Sequence, residues 1–205
     1  LSLTGEGYVA EMYKKYGRVI SPMGCRAFLS PWYERGGMEP ADEEDKPVFV
    51  GRFNIGVVSL HLQMILAKAR QESRDFYEVL DYYLELIRRL HLRTYAYLGE
   101  MKASNNPLGY CEGGFYGGHL GFHDKIKPVL ASATASFGIT ALQELQMLYN
   151  GRSLVEDGAF ALEVMRHIND KVGQYKKEDR RLYAIYGTPA ENLCGLQVGQ
   201  FRAKY

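Results

Sequence analysis

The sequence predicts an α/β fold in which parallel strands alternate with helices. Segments typical of strands lie at 55–60, 133–139 and 182–186, where β-branched or small residues lie next to glycine. The intervening segments are long enough to hold helices that cross over a parallel sheet. Because such folds collect chemistry at strand ends, we expect functional side chains in the segments 52–54, 136–138 and 188–191.

The spacing of apolar residues predicts the helices. In chain order they cover residues 6–16, 64–69, 73–98, 140–149 and 158–175. In the longest of them, apolar side chains recur at three- and four-residue steps. Ser73 is expected to cap this helix, and Glu85 is placed to pair with Arg89 one turn later. Thr140–Gln143 matches a capping box and is expected to open the next helix.

Proline and glycine define the connecting segments. Two prolines bracket an apolar run, so residues 19–32 are expected to form a shaped loop. Residues 34–47 are acidic and rich in turn formers, which predicts a solvated surface excursion, and residues 48–50 resemble a further short strand. The glycine-rich segment 103–124 predicts a long loop of special conformation, because it matches neither glycine pattern of nucleotide-binding loops.

Length and composition fit one globular domain or part of a larger one. The 205 residues are 46% apolar and 24% charged, which excludes disordered and collagen-like chains. A net charge of +1 gives no excess to attract nucleic acid or an anionic lipid surface. No apolar run reaches the roughly 18 residues of a membrane helix, and the first residues lack a signal-peptide pattern. We expect an excised piece of a longer protein.

Cysteine usage favours the cytoplasm. Cys25, Cys111 and Cys194 are sparse and odd in number, which is not a disulfide framework. The sequence contains no CxxC pair and no cluster of cysteine and histidine at zinc spacing. His119 and His123 come closest to a metal site, but interleaved glycines make a helix presenting both doubtful. We predict no metal.

Cys25 is the strongest candidate for chemistry. A rigid loop can hold one thiol at a fixed point, as nucleophilic and radical reactions both require. The alternative is a buried, small apolar residue, and Met23 nearby is by itself more typical of packing. Asn54 could hydrogen-bond a polar substrate, and Glu191 could exchange a proton with a leaving hydroxyl if it is buried. A turn or capping role is equally open for these last two.

Four segments occur in an order and spacing that resemble one family. They are Ser-Pro-Met-Gly-Cys-Arg at 21–26, Gly-Arg-Phe-Asn-Ile-Gly-Val-Val-Ser-Leu at 51–60, Ser-Phe-Gly-Ile at 136–139 and Tyr-Gly-Thr-Pro-Ala-Glu-Asn-Leu at 186–193. Over essentially its whole length the chain resembles the anaerobic (class III) ribonucleoside-triphosphate reductases, which are oxygen-sensitive glycyl radical enzymes. The resemblance implies an oxidoreductase that makes 2′-deoxyribonucleoside triphosphates for DNA replication, with residues 1–205 as a fragment of its single catalytic domain.

The resemblance also implies a fold and a set of site residues. The fold is a ten-stranded α/β barrel of two parallel five-stranded halves set antiparallel, with a finger loop at about 19–32. Cys25 matches the cysteine at the tip of that loop, which becomes a thiyl radical and takes the 3′ hydrogen of the substrate. Met23 matches the methionine just before that cysteine. Glu191, in the Thr-Pro-Ala-Glu segment, matches the acidic residue of the family's active site. Substrate contacts are expected from Asn54, Ser136 and Thr188.

The parent enzyme implied by this resemblance needs components outside the chain. No cofactor is expected within residues 1–205. The ATP-binding regulatory domain and the C-terminal region that carries the glycyl radical and a structural zinc are expected to be absent from it. The radical would come from an activase that uses S-adenosylmethionine and an iron–sulfur cluster. Other expected partners are ribonucleoside triphosphates, nucleotide effectors, formate or a thioredoxin-like reductant, and a second copy in a homodimer.

Two alternatives stay open at this point. One is another glycyl radical enzyme of the lyase type, built on the same barrel with a finger-loop cysteine. The other is a truncated, non-catalytic binding or assembly module, with the helix at 73–98 at a dimer interface.

Overall fold

The computed structural model describes residues 6–18 and 29–205. Within them, three parallel strands form a sheet in the order β1-β2-β3, with β1 Asn54–His61, β2 Thr134–Thr140 and β3 Leu182–Gly187. The helices of the described chain are α1 Glu6–Tyr16, α2 Leu62–Gln71, α3 Phe76–Gly99, α4 Pro107–Tyr110, α5 Leu142–Asn150, α6 Ala159–Asp179 and α7 Glu191–Lys204. The predicted α/β class is confirmed. None of these helices has the length and apolarity needed to cross a membrane.

The central strand β2 is buried along its whole length. Phe137, at its middle, lies in register between Val58 of β1 and Ile185 of β3. Helices α2 and α3 and the glycine-rich segment lead from β1 to β2, and α5 and α6 lead from β2 to β3. A parallel strand covered on both faces needs apolar or small side chains, as in the sequence Thr-Ala-Ser-Phe-Gly-Ile-Thr of β2.

The hydrophobic core lies between one face of the sheet and the helices α3 and α6. Phe137 from β2, Leu80 and Leu84 from α3, and Ile168 from α6 are fully buried there. Burying a side chain of this size stabilises a fold by roughly 1.5–3 kcal/mol. These contacts therefore decide which face of the sheet turns toward the helices.

Asp75, and not Ser73, caps α3. The Asp75 Oδ1 accepts a hydrogen bond from the backbone N–H of Glu78 at 3.0 Å. Ser73 instead adopts a left-handed φ of 51° in the short connection between α2 and α3. The predicted cap is wrong because the chain must reverse direction within this connection, and Ser73 occupies the strained position of the turn.

The predicted capping box at Thr140 is also wrong. Thr140 is the last residue of β2, and its hydroxyl donates to the carbonyl oxygen of Leu60 at 2.8 Å. Helix α5 begins after Ala141, which has a left-handed φ of 59° and provides no side-chain cap. The threonine hydroxyl thus closes the end of the β1–β2 pair and is not free to cap the helix.

The strand predicted at 48–50 is not formed. The chain here makes an isolated bridge between Pro47 and Tyr33, and the Val50 side chain is exposed. One further bond follows this bridge, from the Val48 N–H to the carbonyl oxygen of Trp32 at 2.7 Å, and no ladder forms beyond it.

Helix α7 was not anticipated from the sequence. Its apolar residues are spread around the helix and not gathered on one face, and Leu196 and Val198 are exposed while Gln197 is buried. The segment therefore lacks the apolar stripe that indicated the other helices.

Residues 34–47 are mostly exposed, as predicted, but they are organised around one buried carboxylate. Asp45 Oδ2 accepts hydrogen bonds from the backbone N–H groups of Gly36 at 2.8 Å and Ala41 at 3.0 Å, and Oδ1 accepts one from Arg35 at 3.3 Å. The backbone bonds, with that from Ala41 foremost, hold the pKa of Asp45 below its ordinary value. The excursion is thus a loop of defined shape.

The glycine-rich segment forms the special loop that was predicted. Asn106 caps the short helix α4 by accepting from the Gly109 N–H at 3.1 Å, and a Cβ at Gly109 would collide with Phe115. Among the described residues, no group of three histidine, cysteine, aspartate or glutamate side chains could hold a metal ion, and His119 and His123 belong to no such group.

Arg88 joins α3 to α6 and β3. Its guanidinium donates to both carboxylate oxygens of Asp179, at 2.6 and 2.9 Å, and stacks over the Tyr175 ring at 4.6 Å. Asp179 also accepts from the Tyr183 hydroxyl at 2.9 Å. Burial alone would raise the pKa of Asp179, but the bonds from Arg88 and Tyr183 hold it below its ordinary value. Three elements therefore meet at one charged group.

We predict that Arg88→Lys lowers the free energy of unfolding by about 1–2 kcal/mol, because lysine cannot form two parallel bonds or stack flat on a ring. Arg89→Lys is the matched control. The pair predicted between Glu85 and Arg89 is not formed, since Glu85 contacts Arg88 at 3.4 Å instead. The control should change stability by less than about 0.5 kcal/mol. Urea unfolding measures both, and equal effects would contradict the role given to Arg88.

Candidate functional site

The two faces of the sheet differ in chemistry. Ala135, Phe137 and Ile139 of β2 belong to the hydrophobic core, so Ser136 and Gly138 between them face the opposite side. Side chains from β1 and from the residue that follows β3 meet them there. We call this surface the polar sheet face and define it as Asn54, Ser59, Ser136, Gly138 and Thr188.

Asn54 and Ser136 lie in contact on the polar sheet face. The Asn54 Nδ2 donates to the Ser136 Oγ, and the Asn54 Oδ1 accepts from the backbone N–H of Gly56 at 2.8 Å. A register shift between Asn54 and Gly56 marks a bulge at the start of β1. Asn54 therefore lies at the beginning of its strand, with its amide held in one orientation by bonds at both ends.

Ser59 and Thr188 meet across the middle strand. Their hydroxyl oxygens are 2.8 Å apart, and the backbone N–H of Thr188 donates to the carbonyl of Ile139 at 3.2 Å. They can approach because Gly138 lies beneath them. A Cβ built at Gly138 would come within 3.0 Å of Ser59 Oγ, Thr188 Oγ1 and a methyl group of Val57. The close approach requires glycine at this position.

His91 supports the polar sheet face from the core side. Its Nε2 lies 3.1 Å from the carbonyl oxygen of Ser136, and its ring meets Phe137 edge to face at 5.3 Å. Burial lowers the pKa of His91, so the imidazole is neutral near pH 7 and Nε2 carries the proton donated to the carbonyl. His91 therefore has a structural role, in which it satisfies the carbonyl of Ser136.

Glu191 lies apart from these buried groups. It is the first residue of α7 and is exposed. Proton exchange with a leaving hydroxyl was expected only if Glu191 is buried, and the described residues do not bury it. Helix α7 is tied to the sheet by Gln197, whose Nε2 donates to the Thr140 Oγ1 at 3.0 Å. A cleft of about 220 Å³ lies between them, lined in part by Thr188 and Ala190.

Cys25 and Met23 lie outside the described residues, as does most of the predicted finger loop. The chain that follows is fixed to the sheet, because the Ser30 Oγ donates to the carbonyl of Tyr183 in β3 at 2.7 Å. The structure thus brings Asn54, Ser136 and Thr188 to one face. The roles expected of the site residues stay predictions.

Sequence reasoning did not single out Ser59 as part of this surface. The available signal was alternation, since Ser59 lies in a strand whose buried residue is the neighbouring Leu60. Without the register between β1 and β2, nothing in the sequence placed Ser59 opposite Gly138.

A comparison with sequence models of protein families gives a match over residues 4–205, to the family described as anaerobic ribonucleoside-triphosphate reductase. This chain belongs to that family. The resemblance seen in the four segments is thereby confirmed over nearly the full length of the chain.

Individual members of the reductase family agree with this assignment. The chain is 30% identical over 190 residues to the anaerobic ribonucleoside-triphosphate reductases of Haemophilus influenzae and Escherichia coli, matching 90% of this chain and 25% of each relative. It is 30% identical over 181 residues to the enzyme of the same name from Enterobacteria phage T4, matching 85% of this chain and 27% of that protein. The chain therefore spans about a quarter of the length of these curated relatives.

In this reductase-family chain, we predict that Gly138→Ala destabilises the fold by about 1–3 kcal/mol, because the added methyl group has to separate Ser59 from Thr188. Gly195→Ala in α7 is the matched control, since a Cβ there meets nothing within 4 Å. Alanine is also the better helix former, so the control should be neutral or stabilising by up to about 1 kcal/mol. Thermal unfolding compares the two, and full tolerance of Gly138→Ala would refute the packing described.

Proposed function

We propose that this chain is part of the single catalytic domain of a cytoplasmic enzyme that reduces ribonucleoside triphosphates to 2′-deoxyribonucleoside triphosphates under anaerobic conditions. The substrate ribose would bind on the polar sheet face. The observation that supports this placement is the convergence of Asn54, Ser136 and Thr188, which come from three separate segments, on one surface. Family membership supplies the reaction, and the geometry supports the place where it occurs.

In this proposal the three strands form one side of the ten-stranded barrel, with the polar sheet face turned inward. The finger loop at about 19–32 would pass across that face. Ser30 supports this path, because it is anchored to β3 and lies five residues after Cys25. An extended chain of that length spans at most about 18 Å, which sets an upper limit on how far from Ser30 the proposed path could carry the thiol.

The polar sheet face suits a neutral sugar. Its five residues offer an amide and three hydroxyl groups and carry no charge. Each hydroxyl both donates and accepts hydrogen bonds, and so can match the ribose hydroxyls in either sense. The 2.8 Å contact between Ser59 and Thr188 and the bond between Asn54 and Ser136 hold these groups in place before a ligand arrives.

Cys25 would perform the central step. As a thiyl radical, its sulfur would take the 3′ hydrogen atom of the ribose, which forms an S–H bond and leaves the unpaired electron on the sugar. The 2′ hydroxyl would then leave as water after accepting a proton, for which Glu191 is the proposed source. Met23 would lie close to the thiol. Holding the sulfur on a constrained loop inside a barrel keeps the radical from solvent.

Other parts of the parent enzyme would supply the remaining chemistry. Its glycyl radical, made by an activase with S-adenosylmethionine and an iron–sulfur cluster, provides the unpaired electron. We place its structural zinc in those other parts too. Nucleotide effectors, formate or a thioredoxin-like protein as reductant, and a second subunit complete the proposed set of partners.

Cys25→Ala in the intact parent protein should abolish turnover of ribonucleoside triphosphates, because alanine cannot accept a hydrogen atom. Cys111→Ala serves as the matched loss of a thiol, since Cys111 is a free, half-buried cysteine of the glycine-rich segment. That control should keep substantial activity. Anaerobic assays of deoxyribonucleotide formation measure the turnover of both variants. Turnover by the Cys25 variant at the normal rate would contradict the proposal.

Asn54→Ala should lower kcat/KM by roughly 10- to 100-fold, because the substrate loses a hydrogen-bonding group and Ser136 loses its donor. Asn105→Ala is the control, since Asn105 is exposed in the 3₁₀ turn Ala103–Asn105 and is not part of the polar sheet face. Steady-state kinetics with both variants, at matched thermal stability, test the placement of the ribose. An unchanged kcat/KM for Asn54→Ala would show that the substrate does not bind at the polar sheet face.

A further inference from the structure

A second surface of the molecule carries concentrated positive charge. A cleft of about 750 Å³ lies between the last turns of α6, the 3₁₀ turn Val129–Ser132 and the loop that follows residue 31. We call it the basic cleft and define it by its charged and aromatic lining: Lys176, Lys177, Arg180, Arg181, Trp32 and Glu39. Four cations thus face one carboxylate, in a chain whose net charge is only +1.

Most cations of the basic cleft have no paired carboxylate among the described residues. Within the part of the chain that the structure describes, Lys176, Lys177 and Arg180 make neither an ion pair nor a side-chain hydrogen bond. Arg181 lies over the ring of Tyr95 at 4.9 Å and makes no side-chain hydrogen bond within the described residues, although its charge acts on nearby Asp179. Burial lowers the pKa of Lys176, and the nearby charge of Arg52 lowers it further. Mutual repulsion of this kind is relieved by a bound anion.

Arg52 adds a buried donor without a partner. The side chain is 6% exposed, with Nε donating to the Ser132 carbonyl at 2.9 Å and Nη1 to the Val48 carbonyl at 2.8 Å. Its Nη2 has no partner within the described chain. Ser132 adjoins Ala131, which lines the basic cleft. A buried cation that lacks a counter-charge is costly, and among the described residues no carboxylate pairs with Arg52.

The walls of the basic cleft are preformed. On one side, Gly36 is fixed through its N–H to the buried Asp45, and the Trp32 ring rests against Gly37. On the other side, Gly173 of α6 faces the cleft, and a Cβ there would meet nothing within 4 Å. Glycine within a helix costs about 1 kcal/mol relative to alanine. Among the described residues nothing packs against Gly173, so the missing side chain leaves room for a ligand.

We propose that the basic cleft binds a small anion carrying two or more phosphate groups. The four cations that line the cleft match the charge of such a ligand, whereas a single carboxylate would leave most of them unpaired. Guanidinium groups bind phosphate oxygens in pairs, and lysine ammonium groups act as point charges toward them. Trp32 at the rim provides a flat surface for a base when the anion is a nucleotide.

The test uses the intact parent protein with inorganic tripolyphosphate and, in a second arm, ATP as probes. Hydrogen–deuterium exchange should show protection of the peptides covering 173–181 and 32–39 at millimolar probe. Protection by both probes assigns binding to the phosphates, and protection by ATP alone assigns a share to the base. Absence of protection by either probe overturns the proposal.

Paired substitutions locate the effect. Lys176→Gln with Arg180→Gln should weaken binding at this site by roughly tenfold or more, because two charge-assisted bonds are lost. Arg152→Gln with Arg166→Gln removes the same charge from exposed positions outside the cleft and should leave binding unchanged. Lys176→Arg should retain it, which separates loss of charge from loss of fold. Equal weakening by the control pair would also overturn the proposal, and none of these outcomes depends on turnover by Cys25.

Discussion

The burial of β2 on both faces is the constraint on which the rest of this structure depends. On one face, Phe137 fills the space beneath α3 and α6, and on the other, Ser136 and Gly138 leave room for side chains from neighbouring strands. A parallel strand in this position has no solvent to satisfy its polar atoms. The Ser136 hydroxyl is therefore bonded to Asn54 and its carbonyl to His91. The polar sheet face exists because small residues were placed on one side of a strand that is otherwise core.

Buried polar groups elsewhere in the chain follow the same rule. Asp45 accepts three backbone N–H groups, and Asp179 binds Arg88 and Tyr183. Arg52 departs from this rule within the described residues, because one of its nitrogens is buried without a partner there, as are single atoms of Thr134 and Gln146. Of these three, Arg52 alone carries a charge, and a charge is by far the most expensive group to leave unpaired. The contrast is what singles out its neighbourhood as a place for a ligand.

The sequence was sufficient wherever one local signal decided the structure. Apolar periodicity located α3 and α6, and runs of β-branched or small residues beside glycine located the three strands. Local rules failed where a distant contact prevailed: Thr140 matched a capping box, but its hydroxyl bonds the carbonyl of Leu60, eighty residues earlier. Helix α7 has no apolar stripe, so periodicity gave no sign of it. For the site, Asn54, Ser136 and Thr188 were foreseeable from motifs, whereas Ser59 depended on strand register.

The parallel register also has a consequence for how the chain assembles. Asn54 pairs with Thr134, and Thr134 pairs with Leu182. Neighbouring strands are therefore far apart in sequence, with the connecting helices between them. Contacts of such long range form slowly, because a large loop must close before any pairing is gained. During synthesis, β1 emerges well before β2 exists to cover it, while α2 and α3 can pack on each other at once. The α2–α3 hairpin can therefore cover β1 until β2 has been synthesised. The three-stranded sheet described above forms only after β3 has left the ribosome.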